Sequence, residues 1–476
     1  MSEAKTLLKN TGLLAIGQFG TKLLSFFLVP LYTYVLSTTE YGTYDLINTT
    51  VSLLVPILAL NIADSALRFP LDKDVDRQQV FSICCLHILF SILVCVILLG
   101  INYYIDFIAI INEYPLLFLL LFISYAISGL LNNFVRGIDK VKEVAISGVL
   151  CTAIMIFLNL LFLLPLRMGL LGFFLATIIG SFCQSIYLFV IIKGWIYLKF
   201  INIDKNLHHD MVNYSRPLIL NNISWWVNGV SNRYIISWLC SIAENGIFSV
   251  SYKIPSILVM FQGIFSQAWT MSAVHGYDKE DSNGFFARMY QSYNICMVLV
   301  CSLLILFSRI IAKFLYANDF YNAWKYVPFL LIASVFGALS GYIGGIYAAT
   351  KDTKIFAKTS VIGAVVNLLI TLVLVWKIGV LGAAIASPIS YGIIWYLRIK
   401  SIKKYINMKL HIFKDMIGYV ILCIQTLLLF IFPDKLIFFC LQIFAVMIII
   451  ILNKELLMEI TSKFYNKIHN KFTIKI

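Results

Sequence analysis

Three basic residues lie inside long apolar runs, where a charge needs a specific reason. They are Lys22, Arg233 and Lys253. A guanidinium group can hold two phosphate oxygens at once, and an ammonium group offers three donors to an anion. Because a charge deep in a hydrocarbon layer costs about 2.5–3.5 kcal/mol even on a lenient scale, these side chains should face protein or water. The pattern predicts an anion-binding cavity lined by the three residues, with a carboxylate as the alternative partner of Arg233.

Two acidic residues occupy the second apolar run. Asp45 lies near one end of it, and Asp64 lies near the other. Asp64 and Arg68 are four residues apart, so a helix would place them on one face as a local ion pair. The alternative is that Asp45 or Asp64 binds a coupling proton or cation.

Polar and aromatic residues crowd the seventh and eighth apolar runs. Amide groups bond to ligand hydroxyls and flat rings cover apolar faces, although helix packing and interfacial belts use the same residue types. The candidate contacts to a hydroxylated ligand are Asn221, Asn222, Trp225, Asn228, Asn232 and Gln262.

The composition identifies the elements that must position these side chains. Of 476 residues, 61% are hydrophobic and only 13% are charged, whereas soluble chains carry about 25% charged residues. Apolar runs of about 18 residues or more recur from end to end, and each can cross a hydrocarbon layer as a helix. The chain is predicted to be an all-α polytopic membrane protein with about fourteen transmembrane helices.

Several kinds of site are missing from the sequence. The ten cysteines include no C-x-x-C pair, so they are interpreted as small buried hydrophobes. The chain has no G-x-x-x-x-G-K-[ST] loop for a nucleotide phosphate. We therefore expect no metal, no cofactor and no catalytic site, and the protein is not expected to be an enzyme.

Basic residues in the loops set the predicted orientation. Most of the 37 Lys and Arg residues fall on the face that holds both termini. Lys and Arg are retained on the cytoplasmic side of membranes, so both termini are predicted to be cytoplasmic. The net charge of +14 follows from this bias and requires no nucleic acid.

An internal repeat organises the spans. STTEYGTYDL (37–46) returns as SIAENGIFSV (241–250), each at the turn between the first two spans of a set of six. NLLFLLPLRMGLLGFFLAT (159–177) is echoed by NLLITLVLVWKIGVLGAAIAS (367–387). Parallel repeats are typical of transporters, in which the substrate passes between the halves. The predicted parts are an N-lobe of spans 1–6 (1–203), a C-lobe of spans 7–12 (204–410), two extra spans (411–452) and a basic amphipathic cytoplasmic tail (453–476).

These motifs carry a resemblance to a known family. The turn EYGTYDL (40–46), the loop RGIDKVKE (136–143) and the run N-L-L-x-x-x-x-P-x-x-x-G-x-x-G-x-x-x-A-T resemble the polysaccharide transporter branch of the MOP superfamily. Within it the chain is most similar to Wzx-type flippases of O-antigen and capsule repeat units. The resemblance implies a MATE-like, V-shaped pair of six-helix lobes that rocks between inward-open and outward-open states.

The resemblance also implies a substrate and a setting. The substrate would be an oligosaccharide linked through pyrophosphate to undecaprenol, moved between the leaflets of the bacterial inner membrane. Lys22, Arg233 and Lys253 would then hold the pyrophosphate, and the amide and aromatic set would contact the sugars. The protein would work as a monomer, with polysaccharide polymerase or ligase machinery as a further partner.

Two other functions fit the sequence less well than a flippase does. A cation-coupled multidrug exporter of the same superfamily would need a net acidic cavity and usually stops at twelve spans. A membrane-embedded glycosyltransferase or polymerase would need a long outer loop with catalytic groups. The longest predicted outer loop, at about 309–326, has Asp319 as its single acid.

Overall fold

A computed structural model describes residues 26–72, 74–199, 203–350, 353–431, 436–458 and 462. Lys22, most of the predicted first span and nearly all of the predicted amphipathic tail lie outside these ranges. Every regular element within the described ranges is helical, in agreement with the all-α prediction.

The chain divides into two compact units. The first comprises Met1–Ser249 with Tyr316–Phe320, and the second comprises Val250–Leu315 with Tyr321–Ile476. The predicted lobe boundary after residue 203 follows the sequence repeat, whereas the first unit also takes in the helix that opens the second repeat. The predicted lobes and the compact units are therefore different divisions of the chain.

The first unit contains most of the helices in the first half of the chain. Its helices are α1 (Val29–Val35), α2 (Thr38–Leu58), α3 (Ile62–Arg68), α4 (Arg77–Ile105), α5 (Ala109–Glu113), α6 (Pro115–Gly137), α7 (Val141–Leu163), α8 (Gly169–Ile191), α9 (Lys205–Leu239) and α10 (Ile242–Ser251), whose end belongs to the second unit. Short 3-10 turns follow α3 and α8, at Phe69–Leu71 and Gly194–Tyr197.

The second unit continues the chain with longer apolar helices. They are α11 (Pro255–His275), α12 (Phe285–Leu315), α13 (Val327–Ala349), α14 (Thr353–Ile378), α15 (Val380–Ile402), α16 (Ile412–Ile431) and α17 (Leu436–Leu452). A 3-10 segment, Asn318–Lys325, connects α12 to α13, and its residues up to Phe320 belong to the first unit.

Length and apolarity identify the membrane spans. Among the described residues, nine helices are long and apolar enough to cross a membrane, namely α4, α6, α7, α8, α12, α13, α14, α15 and α16. Two bent pairs, α2 with α3 and α10 with α11, raise the number to as many as eleven, and α17 carries a shorter apolar stretch. The protein is a multi-pass membrane protein, and the count of fourteen spans for the whole chain stays a prediction.

The bent pairs have local causes. Pro56 lies near the end of α2, and Leu60 and Asn61 follow with positive φ angles of 51° and 52°. Such a backbone cannot continue a right-handed helix, and the chain turns by 67° before α3. In the second repeat the break precedes Pro255, which starts α11 where its missing N–H costs nothing.

Aromatic clusters hold the helices of the first unit. Between α4 and α6, the rings of Phe81 and Phe134 lie 4.7 Å apart, and Tyr197 meets Phe134 edge-on at 5.2 Å. On another side of α6, buried Phe122 and Phe174 belong to a second cluster that reaches α2 and α8. Ile62 and Ala66 of α3 pack in the first cluster and α2 packs in the second, so both clusters hold the helices that carry Asp45 and Asp64.

Stacked and hydrogen-bonded aromatic rings also join the helices of the second unit. Trp269 of α11 stacks on Tyr342 of α13 at 4.1 Å and donates its ring N–H to the Tyr342 carbonyl oxygen at 2.8 Å. Trp395 of α15 donates to the Tyr290 hydroxyl of α12 at 2.9 Å. Each buried ring thus has its polar atom satisfied, as an apolar interior requires.

Candidate functional site

The two copies of the repeated motif begin two helices in the same way. At the start of α2, the Ser37 hydroxyl accepts from the Glu40 N–H at 3.2 Å, and the Glu40 carboxylate accepts from the Ser37 N–H at 2.8 Å. At the start of α10, the Ser241 hydroxyl accepts from the Glu244 N–H at 3.1 Å. The shared S-x-x-E pattern is therefore a repeated helix-capping signal.

The glycines of the same motif bring the two helix backbones into contact. A Cβ atom on Gly42 would overlap the carbonyl oxygen of Ile242, and one on Gly246 would overlap the carbonyl oxygen of Thr38. The Asn245 amide also donates to the Gly42 carbonyl oxygen at 3.4 Å. Only glycine leaves room for this crossing of α2 and α10, as at small-residue crossings in other membrane helices.

Asp45 lies one turn beyond Gly42 and collects three partners from α9 and α10. Arg233 of α9 donates from Nη1 to Oδ1 at 2.6 Å. Ser249 of α10 donates its hydroxyl to Oδ2 at 2.6 Å, and the Asn245 amide lies 3.5 Å from the same oxygen. Both carboxylate oxygens are therefore occupied.

This ion pair is largely withdrawn from solvent. The side chains of Arg233 and Asp45 are 16% and 12% exposed. Loss of one member of a buried pair costs about 3–5 kcal/mol, because the remaining charge then has no counterion. The structure thus shows the carboxylate partner that the sequence allowed for Arg233, and the anion-binding role of Arg233 stays a prediction.

Polar bonds dock α9 along α2 and α3. The Tyr234 hydroxyl lies 2.5 Å from the Thr50 hydroxyl, and the Trp226 ring N–H donates to the Thr49 carbonyl oxygen at 3.0 Å. Nearer the start of α9, the Asn222 amide donates to the Asn61 side-chain oxygen at 3.1 Å. Many of the polar side chains of α9 are therefore committed to helix contacts.

The predicted contacts to a hydroxylated ligand have different surroundings. Asn222 bonds to Asn61 as described, and Asn228 donates to the Ser224 carbonyl oxygen within α9 at 3.0 Å. Asn232 is buried in α9, and Gln262 is half-buried in α11. The side chains of Asn221 and Trp225 lie outside the described part of the structure, and a sugar-binding role stays a prediction for the set.

Asp64 does not form the local ion pair predicted with Arg68. Its carboxylate accepts from Asn61 at 2.7 Å and lies 3.4 Å from the Asn133 amide of α6. Arg68 instead pairs with Asp72 at 2.7 Å, and both side chains are about half exposed. The prediction was wrong because the left-handed Asn61 at the helix break supplies a donor to Asp64, while Arg68 turns to solvent.

The other two predicted basic residues are Lys22 and Lys253. Lys22 lies outside the described residues. Lys253 lies in the break between α10 and α11 and is half-buried. Within the ranges that the structure covers, no group of three His, Cys, Asp or Glu side chains is arranged for a metal ion.

Sequence reasoning missed a buried cation in the second unit. Arg398 of α15 is 3% exposed, and its guanidinium donates to the Ser340 carbonyl oxygen at 2.9 Å and to the hydroxyls of Thr359 at 3.1 Å and Ser360 at 2.8 Å. It also lies over the Phe356 ring at 4.1 Å. These groups belong to α13 and α14, so Arg398 ties three helices together. The basic stretch RIKSIKK around it is typical of a solvated loop and gave no sign of burial.

Comparison with known sequences gives one family and two partial relatives. A family model described as Polysaccharide biosynthesis protein matches residues 7–270. Multidrug and toxin extrusion protein 1 of Rattus norvegicus is 25% identical over 266 residues, which cover 50% of this chain and 44% of that protein. Probable low-salt glycan biosynthesis flippase Agl15 of Haloferax volcanii is 19% identical over 202 residues, which cover 42% of this chain and 43% of that protein. The chain spans less than half the length of these relatives.

Solved structures share the fold over more of the chain. Lipid II flippase MurJ in an inward closed conformation matches with a TM-score of 0.65 and 16% identity, covering 94% of this chain and 99% of that one. An inward-facing MATE family multidrug resistance transporter of the MOP superfamily matches with a TM-score of 0.58 and 13% identity, covering 81% and 95%. At these identities the likeness concerns the fold, which is MATE-like as predicted.

Proposed function

Since the chain belongs to the polysaccharide biosynthesis protein family, we propose that it is a flippase for undecaprenyl-pyrophosphate-linked oligosaccharide repeat units. It carries them from the cytoplasmic to the outer leaflet by alternating access, for O-antigen, capsule or exopolysaccharide synthesis. It acts in the bacterial inner membrane as a monomer with cytoplasmic termini, beside polysaccharide polymerase or ligase machinery, and catalyses no reaction. The family match and the fold shared with a lipid II flippase support this proposal.

The charge state of the Asp45 site favours a lipid-linked glycan over a cationic drug. A drug cation would need a carboxylate that is free to receive it. Asp45 is instead matched by Arg233 at 2.6 Å, and its other oxygen accepts from Ser249. The site therefore carries no net negative charge, and its cation is the group that an anionic headgroup would use.

In the proposed cycle, the diphosphate of the substrate competes with Asp45 for Arg233. Carboxylate and phosphate oxygens both accept from the same fork of guanidinium donors. Exchange of one anion for the other keeps the guanidinium compensated, but it leaves the buried Asp45 carboxylate without a counter-charge, so we propose that Asp45 then takes up the coupling proton or cation. Lys22 and Lys253 are proposed to meet the remaining phosphate charge, and the amide and aromatic residues of α9 and α11 are proposed to contact the sugars.

The same exchange of anions at Arg233 would allow α2 and α10 to move apart where they cross. Asp45 is bonded to Ser249, and its neighbour Asn245 bonds to the backbone of Gly42. When Arg233 binds the substrate, Asp45 loses the positive charge that holds it in place, and these neighbouring hydrogen bonds are weakened. We propose that α2 and α10 then separate at their glycine contact to release the substrate, with Asp45 or Asp64 as the group that responds to a coupling ion.

The proposal is tested by substituting the basic residues in a glycan-producing host. Lys22→Ala and Arg233→Ala are expected to abolish surface glycan while the protein still inserts in the membrane, because the diphosphate loses its counter-charge. Surface glycan is measured by immunoblot, and membrane insertion by fractionation. Arg68→Ala is the matched control, since Arg68 forms an exposed pair with Asp72 and should leave glycan unchanged. Retention of glycan by both cavity variants would contradict the anion-binding role.

A cation-coupled multidrug exporter of the same superfamily is the alternative, supported by the partial match to a multidrug and toxin extrusion protein. Proteoliposomes that contain the purified protein distinguish the two. Accessibility of a fluorescent undecaprenyl-pyrophosphate oligosaccharide to an external quencher measures flipping, and ethidium efflux measures drug export. Ethidium efflux without glycan flipping would replace the first proposal with the second.

A further inference from the structure

Another buried acid, Asp415, lies far from Asp45 in the sequence, in the first turn of α16. Asp415 is 9% exposed, and its Oδ2 atom is buried with no hydrogen-bond partner among the described residues. No Lys, Arg or His side chain among the described residues forms an ion pair with Asp415. A lone carboxylate withdrawn from water is costly, and such groups avoid the cost by taking up a proton.

Aromatic and amide side chains surround Asp415. The Tyr419 hydroxyl donates to Asn294 Oδ1 at 3.0 Å, and both side chains are buried. Tyr290 also faces Asp415, and its hydroxyl accepts the Trp395 ring N–H at 2.9 Å. These residues belong to α12, α15 and α16, so the acid lies where three helices pack.

The charged and titratable groups around Asp415 are few. Tyr290 faces it from α12, Tyr419 lies one turn along its own helix, and Lys414 precedes it. The two other helices that pack against α16 are α13 and α17, and neither has an acidic or basic side chain within Val327–Ala349 or Leu436–Leu452. The Asn294 side chain, Lys414 and the N-terminal turn favour a negative charge on Asp415, but burial of the carboxyl group is the larger effect and favours its neutral form.

The oxygens near Asp415 suit a proton better than a metal cation. Asn294 Oδ1 already accepts from Tyr419, and the Tyr290 hydroxyl already accepts from Trp395. A metal ion with oxygen ligands needs about six of them, whereas a proton needs a single carboxylate oxygen. Oδ2 of Asp415 is such an oxygen.

We propose that Asp415 is a protonation site, which holds a proton while the first turn of α16 is packed against α12. Loss of the proton would leave a buried negative charge, draw water to this end of α16 and loosen it. This inference concerns a group outside the proposed substrate site, and it does not depend on the proposed function.

Loss of the proton should loosen only the first turn of α16, because buried hydrogen bonds hold the rest of the helix against its neighbours. Ser302 of α12 donates to Gln425 Oε1 at 2.8 Å. The Gln425 amide donates to Gln442 Oε1 of α17 at 2.9 Å, and the Gln442 amide donates back to the Gln425 carbonyl oxygen at 2.8 Å. All three side chains are fully buried. These hydrogen bonds join α12, α16 and α17 through side chains that do not titrate. A change of pH should therefore act on α16 through Asp415.

The test follows the thermal stability of the full-length protein in lipid nanodiscs as pH rises. The folded protein holds a proton that the unfolded chain releases above about pH 4, so stability should fall as pH rises above about pH 4 and level off once the folded protein has also lost the proton. Asp415→Asn, which resembles the protonated acid, is expected to remove most of this fall. Asp278→Asn is the matched control and should follow the wild type. Asp278 is an exposed loop acid of the same unit, and the Ser282 N–H holds its pKa below the ordinary value.

Infrared spectra give a direct readout of the proton. The wild type at mildly acidic pH is expected to show a protonated carboxyl band that Asp415→Asn removes and Asp278→Asn retains. If Asp415→Asn fails to fold, Asp415→Glu serves in its place, and it should keep the band at a shifted position. Three results would overturn the proposal: parallel pH profiles in wild type and Asp415→Asn, a carboxyl band unaffected by substitution at 415, or stabilisation by sodium over choline that depends on Asp415.

Discussion

Asp45 and Arg398 are both buried charges in helices, and their surroundings remove the cost of burial in different ways. Asp45 is 8% exposed and faces an opposite charge, with Arg233 at 2.6 Å. Arg398 is 3% exposed and, among the described residues, bonds to neutral carbonyl and hydroxyl oxygens of α13 and α14. An ion pair can exchange one charged partner for another ion, whereas a cage of neutral oxygens cannot. The Asp45 site is therefore suited to change during transport, and the Arg398 site is suited to hold helices together.

The largest expected effect comes from breaking the ion pair on one side. Asp45→Asn and Arg233→Gln should each lower the free energy of unfolding by about 3–5 kcal/mol, because each leaves an uncompensated buried charge. The double variant should recover most of the loss, since both charges are then gone. Unfolding in mixed micelles at several denaturant concentrations measures all three variants. Additive losses in the double variant would show that the two charges do not depend on each other.

Removal of the Arg398 charge should lower stability somewhat less than breaking the Asp45–Arg233 pair. No second substitution should restore it, because the partners of Arg398 are neutral. Arg398→Met leaves the Ser340 carbonyl oxygen and two hydroxyls without their donor, and bonds to a charged group are worth about 1.5–3 kcal/mol each. Because methionine avoids the cost of burying a charged group, we expect a net loss of about 3 kcal/mol in the same unfolding measurement. Arg398→Lys should lose less, because it keeps the charge but not the fork of donors. Wild-type stability in Arg398→Met would show that the cage does not hold the helices.

The smallest expected effect on stability is at the glycine crossing, where the effect on transport should be larger. Gly42→Ala places a Cβ atom on the Ile242 carbonyl oxygen, and overpacking of this kind costs about 1–3 kcal/mol. We expect reduced surface glycan, since α2 and α10 could no longer close on each other. Gly229→Ala is the matched control, because a Cβ atom at that position of α9 meets nothing within 4 Å. Equal glycan levels in the two variants would remove the crossing from the proposed cycle.

Several features of the site were predictable because they depend on local patterns. The S-x-x-E-x-G repeat marked Gly42 and Gly246 as equivalent positions, and the structure shows that both copies start helices and that the glycines touch. The unusual charges inside apolar runs singled out Asp45 and Arg233 before any contact was known. Neither charge could be assigned its partner, since they are separated by 188 residues along the chain.

Other features were not predictable from spacing. The i, i+4 rule paired Asp64 with Arg68, but the left-handed turn at Leu60 and Asn61 changed which donors reach Asp64. Arg398 stands among loop-like basic residues, and its burial depends on the approach of α13 and α14. No sequence pattern around Asp415 indicates that it is buried without a basic partner, because that depends on which side chains the neighbouring helices bring close to it.

The sequence by itself determined the all-helical membrane fold, the repeat and the helix starts, because hydrocarbon forces each apolar run to satisfy its backbone internally and caps act over three residues. The tertiary structure alone decided which charges are paired, which are caged and which stand alone. Those outcomes depend on distances between side chains on different helices, and electrostatic energies in an apolar interior change steeply with those distances.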